Sequence, residues 1–230
     1  MSTALNGSPA GHVAIVTGGS RGVGRATIHR LAACGCAVVV NYLHDQRAAE
    51  STVEAILANN GNAVAVRADI ADDLDVKRLF AETVAAFGAV DAVVHTAGSR
   101  LAATPVTEAG LDEFDALVRL NTRATFVVNR EAARRVRNGG AIVNLSTSAE
   151  GFTLRTHGLY AATKAITNVL TQALALELRE RDIAVNAVSP AVDRPCAPDR
   201  VTDVIVYLLS DRGHRLTGQI LGVGDAEWRP

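Results

Sequence analysis

Residues 12–33 constrain the fold more than any other stretch of the chain. His12-Val13-Ala14-Ile15-Val16-Thr17 is a short apolar, β-branched run, which predicts a buried strand. Gly18-Gly19-Ser20-Arg21-Gly22-Val23-Gly24 follows, and 25–33 reads as a helix. Glycine reaches positive φ and lets a ligand approach the backbone. A helix start offers N–H groups without partners and partial positive charge, which suit a phosphate. Strand, glycine loop and helix therefore predict a dinucleotide pyrophosphate site formed by Gly18, Ser20, Arg21, Gly22, Val23 and Gly24. The spacing is Thr-Gly-x-x-x-Gly-x-Gly from Thr17 to Gly24, not the common Gly-x-Gly-x-x-Gly.

The remainder alternates in the same way. Strands are predicted at 37–41, 63–67, 92–95, 141–145, 183–188 and near 219–223. Helices are predicted at 46–58, 74–87, 111–137, 159–180 and 200–209. Such alternation needs right-handed crossovers and gives an α/β fold: a Rossmann-like, doubly wound parallel sheet of about seven strands with helices on both faces. The 230 residues, 48% of them hydrophobic, suit a single domain over 12–230 after a flexible tail at 1–11. That tail lacks the basic start and apolar centre of a signal peptide. No run approaches the ~20 apolar residues that span a bilayer. A net charge of −1 gives no basis for binding nucleic acid or an anionic membrane. The cysteines, Cys34, Cys36 and Cys196, have no framework spacing and point to a reducing compartment, the cytoplasm.

In an open parallel sheet, ligands bind beyond the carboxyl ends of the strands. The second strand ends in Asn41-Tyr42, where an NAD site usually carries a carboxylate. Neutral Asn41 with Arg21 nearby favours NADP(H) over NAD(H), and Asp45 argues the other way. Asp69-Ile70 follows the third strand, His95-Thr96-Ala97-Gly98 ends the fourth, and Ser146-Thr147-Ser148 ends the fifth. Tyr160 and Lys164, at i and i+4, share one helix face. A free phenol titrates near ~10, and a neighbouring ammonium lowers it toward the range of an efficient acid.

Together these stretches resemble the short-chain dehydrogenase/reductase family over roughly residues 12–223, and within it the 3-oxoacyl-(acyl carrier protein) reductase-like group. The resemblance implies that Tyr160 donates the proton and that Lys164 lowers its pKa and binds the nicotinamide ribose. Asn121 would hold a water linking Lys164 to solvent. Asp69 and Ile70 would bracket the adenine, and Gly98, after Ala97, would let the backbone pass under the nicotinamide-side ribose. Only Ala97 and Gly98 match the family's Asn-Asn-Ala-Gly, so His95 is expected to be a structural substitute. The family's catalytic serine falls on Thr147 in an ungapped match of Asn144 and Tyr160; a shift of one residue would select Ser148 or Ser146. Pro190 and Val192 lie in a stretch resembling the family's Asn-x-x-x-Pro-Gly-x-Val-x-Thr, with Ala191 for Gly and Arg194 for Thr.

The implied reaction is NADPH-dependent reduction of a small-molecule ketone, an oxoacyl or polyketide-like carbonyl, to an alcohol. Family members carry a few dozen more residues before the last helix, so a shortened substrate lid is expected. That change keeps a rival reading in view: a cofactor-binding protein with non-redox chemistry, or a scaffold. Ile166, Val169, Leu170, Ala173, Leu174 and Leu176 cover more of their helix than one sheet face needs. The preceding helix adds Phe126, Val127 and Val128. A homodimer or homotetramer is expected to bury this surface.

Overall fold

A computed structural model describes residues 10–98, 104–147, 156–190 and 197–224. The chain runs β1 (Val13–Thr17), α1 (Gly22–Ala33), β2 (Ala37–Tyr42), α2 (Gln46–Leu57), β3 (Asn62–Arg67), α3 (Asp73–Phe87) and β4 (Ala92–His95). It continues with α4 (Leu111–Leu117), a π-helical turn (Val118–Arg123), α5 (Ala124–Arg135), β5 (Ala141–Leu145), α6 (Gly158–Glu177), β6 (Ala184–Pro190), α7 (Pro198–Leu208) and β7 (Ile220–Val223). The strands form one sheet in the order β3-β2-β1-β4-β5-β6-β7, every neighbouring pair parallel. The order reverses direction at β1, which places the binding crevice at the carboxyl ends of β1 and β4.

Side chains alternate across each strand and fill two cores. Val16, Val38 and Val40 pack against Ile28 and Leu31 of α1, Ile56 of α2 and Ile205 and Leu208 of α7. Ile15, Val39, Val93, Ile142 and Val185 pack against Leu79 and Phe80 of α3, Val128 of α5 and Leu174 of α6. Leu174, expected on the outer face of α6, therefore belongs to the core. Gly11 N–H donates to the Gly35 carbonyl, tying the described chain to the α1–β2 turn just ahead of β1.

The continuous helix expected over 111–137 is interrupted. At Val118–Arg123 the backbone widens into a π turn. Thr122 Oγ1 donates to the Thr163 carbonyl and Thr125 Oγ1 to the Asn121 carbonyl, so side-chain bonds hold the wider turn. Among the described residues no helix is long and apolar enough to cross a membrane, and no cluster of His, Cys, Asp or Glu is arranged to hold a metal ion.

Candidate active site

The carboxyl ends of β1, β4, β5 and β6 meet the starts of α1 and α6 at one edge of the sheet. α1 begins after Arg21, whose extended backbone makes it the N-cap, yet no side chain caps the helix and its first turn holds no acidic residue. α2 and α3, by contrast, are capped by Asp45 and Asp72. The first N–H groups of α1 thus remain able to bind an anion. Gly22, at φ 55, has open space before it, and Arg21 is exposed beside it. Ser20 and Val23 are half-buried in the loop, and Gly24 is buried against the Gly18 carbonyl and Thr96. An uncapped helix start with space for backbone approach fits a dinucleotide pyrophosphate.

The adenosine end differs from expectation. Asn41 was expected to face the ribose, but it is 2% exposed and donates its amide to the Ala68 and Val66 carbonyls at 3.1 and 3.4 Å. Its contribution is the absence of a carboxylate, not a contact; Tyr42 is likewise packed in the core. Asp45, the counter-argument to NADP(H), is occupied as the α2 cap, where Oδ1 accepts Ala48 N–H at 3.0 Å. Asp69 accepts Ala71 N–H at 2.9 Å and pairs with Arg119 at 2.7 Å, beside buried Ile70. Arg119 comes from the π turn, and nothing in its sequence context marks this pairing.

At the other end, Lys164 is 3% exposed and donates to the Leu145 carbonyl at 2.9 Å. No carboxylate pairs with it among the described residues. Burial pushes its ammonium down to about 8. A Cβ on Gly98 would stand 3.0 Å from Lys164 Nζ and 3.2 Å from Asn121 Oδ1, so these groups converge on Gly98 and a side chain there would crowd them. Tyr160 is half-buried one turn before Lys164, and Pro190 closes β6 nearby in the sheet. Asn121 is fully buried and donates to Thr163 Oγ1 at 3.1 Å; Thr163 in turn donates to the Tyr160 carbonyl at 2.9 Å. Sequence reasoning missed Thr163, although its place on the buried face between Tyr160 and Lys164 was a signal.

The hydroxyls after β5 separate by their partners. Ser146 donates to Asn168 Oδ1 at 2.6 Å. Thr147 is 3% exposed, and its hydroxyl has no partner among the described residues. A buried hydroxyl without a partner costs stability unless a ligand satisfies it. Ser148 and Val192 lie outside the described residues. His95, expected to be structural, is fully buried between Thr17 Oγ1 at 2.9 Å and Thr125 Oγ1 at 3.1 Å. Burial first, then the charge of Lys164, pushes its imidazole down to about 3.

Residues 12–195 match the family described as short chain dehydrogenase. The chain belongs to the short-chain dehydrogenase/reductase family. Among short-chain dehydrogenase/reductase relatives it is 34% identical to versicolorin reductase 1 of Aspergillus parasiticus over 255 aligned positions, covering 95% of this chain and 97% of that protein. It is 38% identical over 181 positions to the hydroxynaphthalene reductase arp2 of Aspergillus fumigatus, covering 79% of this chain and 66% of that protein. A short chain dehydrogenase from Burkholderia cenocepacia J2315, solved in complex with NADP, superposes with a TM-score of 0.88 at 31% identity, covering 94% of this chain and 98% of that one. The protein is thus an NAD(P)-dependent oxidoreductase.

Proposed function

We propose that the protein uses NADPH to reduce the ketone of a polyketide-like, polyhydroxylated aromatic compound. The observation that carries this reading is the buried Lys164 ammonium, one helical turn from Tyr160 and without a carboxylate partner among the described residues. Burying a charge without a counter-ion is costly, and the cost is offset in function if the charge lowers the pKa of a neighbouring phenol. Bound NADPH supplies the hydride that adds to the carbonyl carbon. Tyr160 gives its phenolic proton to the carbonyl oxygen, and Thr147 donates a hydrogen bond to that oxygen. Lys164 holds the nicotinamide ribose and stabilises the phenolate left behind. Asn121 keeps Lys164 in contact with the solvent relay. The substrate class draws support from the versicolorin and hydroxynaphthalene reductases among the relatives. The test is NADPH oxidation with a panel of such ketones: consumption with stoichiometric alcohol supports the reading, and cofactor binding without any turnover across the panel refutes it.

The preference for NADPH rests on exposed Arg21, on the absence of an acidic side chain at the end of β2 and on the commitment of Asp45 to its cap. A charge-assisted hydrogen bond contributes about 1.5–3 kcal/mol, so Arg21→Ala is expected to weaken NADPH about ten- to a hundred-fold and leave NADH nearly unchanged. Equal affinities of the wild type for the two cofactors by titration would remove the basis for this preference.

A shortened lid is part of the same proposal. The family match stops at residue 195, and the alignment with versicolorin reductase 1 runs over 255 positions against a chain of 230 residues. Only seven residues, 191–197, join β6 to α7. A connection this short would suit a broad, flat substrate.

The outer face of α6 supports assembly. Val169 is 65% and Leu176 76% exposed, and Phe126 of α5 is 45% exposed. The buried side of the helix mixes Thr163, Thr167 and Thr171 with Leu174 and Ala175, so these exposed apolar side chains are not needed to cover the sheet. We expect a homodimer, or a tetramer of such dimers, closing over this face. Light scattering at micromolar concentration should give at least twice the 24.1 kDa chain mass, and Val169→Glu with Leu176→Glu should reduce it to one chain. A monomeric wild type contradicts the assembly.

A further inference from the structure

His95 sits in a chain of hydrogen bonds whose proton positions are fixed by the groups at its end. Thr125 Oγ1 is 2.5 Å from the Asn121 carbonyl, which only accepts, so the Thr125 hydroxyl donates there. It therefore has no proton for His95, and His95 Nε2, 3.1 Å away, must be the donor to Thr125. In a neutral ring the other nitrogen then accepts, so Thr17 Oγ1 donates to His95 Nδ1 at 2.9 Å. Thr17 Oγ1 in turn lies 3.4 Å from Ala97 N–H, which donates to it. Every bond in this row points from β1 and β4 toward the π turn.

The Asn121 side chain is fixed by the same reasoning from the opposite side. Thr163 Oγ1 donates to the Tyr160 carbonyl, so it accepts from Asn121, and the amide nitrogen must face Thr163. The amide oxygen is thereby turned toward Gly98, on which Lys164 Nζ also converges. Asn121 is thus gripped at its backbone carbonyl by Thr125 and at its side chain by Thr163.

We propose that His95, held as the Nε2–H tautomer, is a positioning residue for the reaction: through Thr125 it holds the π turn so that the Asn121 amide oxygen stays aimed at Lys164. The inference rests on the reductase reading above for its kinetic readout and on geometry alone for its spectroscopic one. A ring pushed down to about 3 stays neutral at working pH, as this arrangement requires. His95 contacts neither cofactor nor substrate in this assignment; it acts through Thr125 and Asn121.

Three variants and one spectrum test it. Thr125→Val cuts the link at constant volume, His95→Phe removes both ring bonds, and His95→Gln keeps a donor near the Nε2 position. Loss of a buried hydrogen bond of this kind corresponds to about tenfold. Thr125→Val and His95→Phe are therefore expected to lower kcat about tenfold with the Kd for NADPH within about twofold of wild type, and His95→Gln to recover most of the loss. Long-range ¹H–¹⁵N correlation on the wild type should place the His95 proton on Nε2. The Asn121 side-chain amide resonances should move in Thr125→Val and His95→Phe without any substrate present. Wild-type kcat in Thr125→Val, a ring protonated on Nδ1, or unmoved Asn121 resonances would each overturn the proposal. Failure of the reductase reading is recognised separately, as a wild type without turnover whose spectra still decide the His95 assignment.

Discussion

Tyr160→Phe is expected to bind NADPH as tightly as the wild type and to lose turnover about 10²- to 10⁴-fold, the usual contribution of a positioned general acid. The substitution removes one hydroxyl at the half-buried start of α6 and leaves the Tyr160 carbonyl, which Thr163 holds, in place. The fold and the glycine loop therefore survive it, and the loss appears in kcat and not in cofactor affinity. Steady-state kinetics with a fluorescence titration of NADPH separates the two. Turnover within a few-fold of wild type would assign the proton to another group.

Lys164→Met is expected to be inactive and yet more stable than the wild type. Depressing an ammonium from its ordinary 10.5 to about 8 corresponds to roughly 3 kcal/mol of folding free energy at neutral pH. About 1 kcal/mol is set against this for the lost bond to the Leu145 carbonyl. The remaining ~2 kcal/mol should raise Tm by about 4–8 °C in a chain of this size. The pH dependence has a definite sign. Above pH 8 the folded wild type releases this proton while the unfolded chain holds it up to 10.5, so wild-type stability rises relative to Lys164→Met across that window. The stability gap between the two should therefore narrow above pH 8 and change sign before pH 10.5, since the roughly 3 kcal/mol regained exceeds the ~2 kcal/mol gap. A variant less stable than wild type at pH 7 would mean that the buried ammonium is satisfied in the free protein and is not held at a cost for catalysis.

The fold was legible because a buried parallel strand is a continuous β-branched run; 13–17, 92–95 and 141–145 have no other plausible use. That Tyr160 and Lys164 lie on one face of a helix was legible from their i, i+4 spacing, while the roles given to them come from the family resemblance. The π turn was not. Besides the local bond of Thr125 to the Asn121 carbonyl, it depends on bonds from Asn121 and Thr122 to Thr163, 42 and 41 residues away, which leave no local pattern. Asn41 misled because the end of a strand does not say which side chain points to the ligand; here the amide turned inward to the Val66 and Ala68 carbonyls and left the rim to Leu43, His44 and Asp45. The choice among Ser146, Thr147 and Ser148 could not be made from strand alternation, since β5 stops at Leu145. Of the two that are described, Ser146 is bonded to Asn168, whereas Thr147 has no partner among the described residues, which is the ground for proposing it. The Thr17 partner of His95 follows from the β1–β4 register, which places the two opposite each other.

In the proposed reaction this chain moves a hydride from bound NADPH to a ketone carbon while Tyr160 protonates the oxygen. Incubation with NADPH deuterated on the transferring face of C4, in ordinary water, with a polyhydroxylated aromatic ketone tests it most directly. One deuterium is expected on the new carbinol carbon for each NADP⁺ formed, with deuterated product lowered about 10²- to 10⁴-fold in Tyr160→Phe at matched times. Product lacking deuterium, or NADPH that binds and stays intact across the ketone panel, would contradict it.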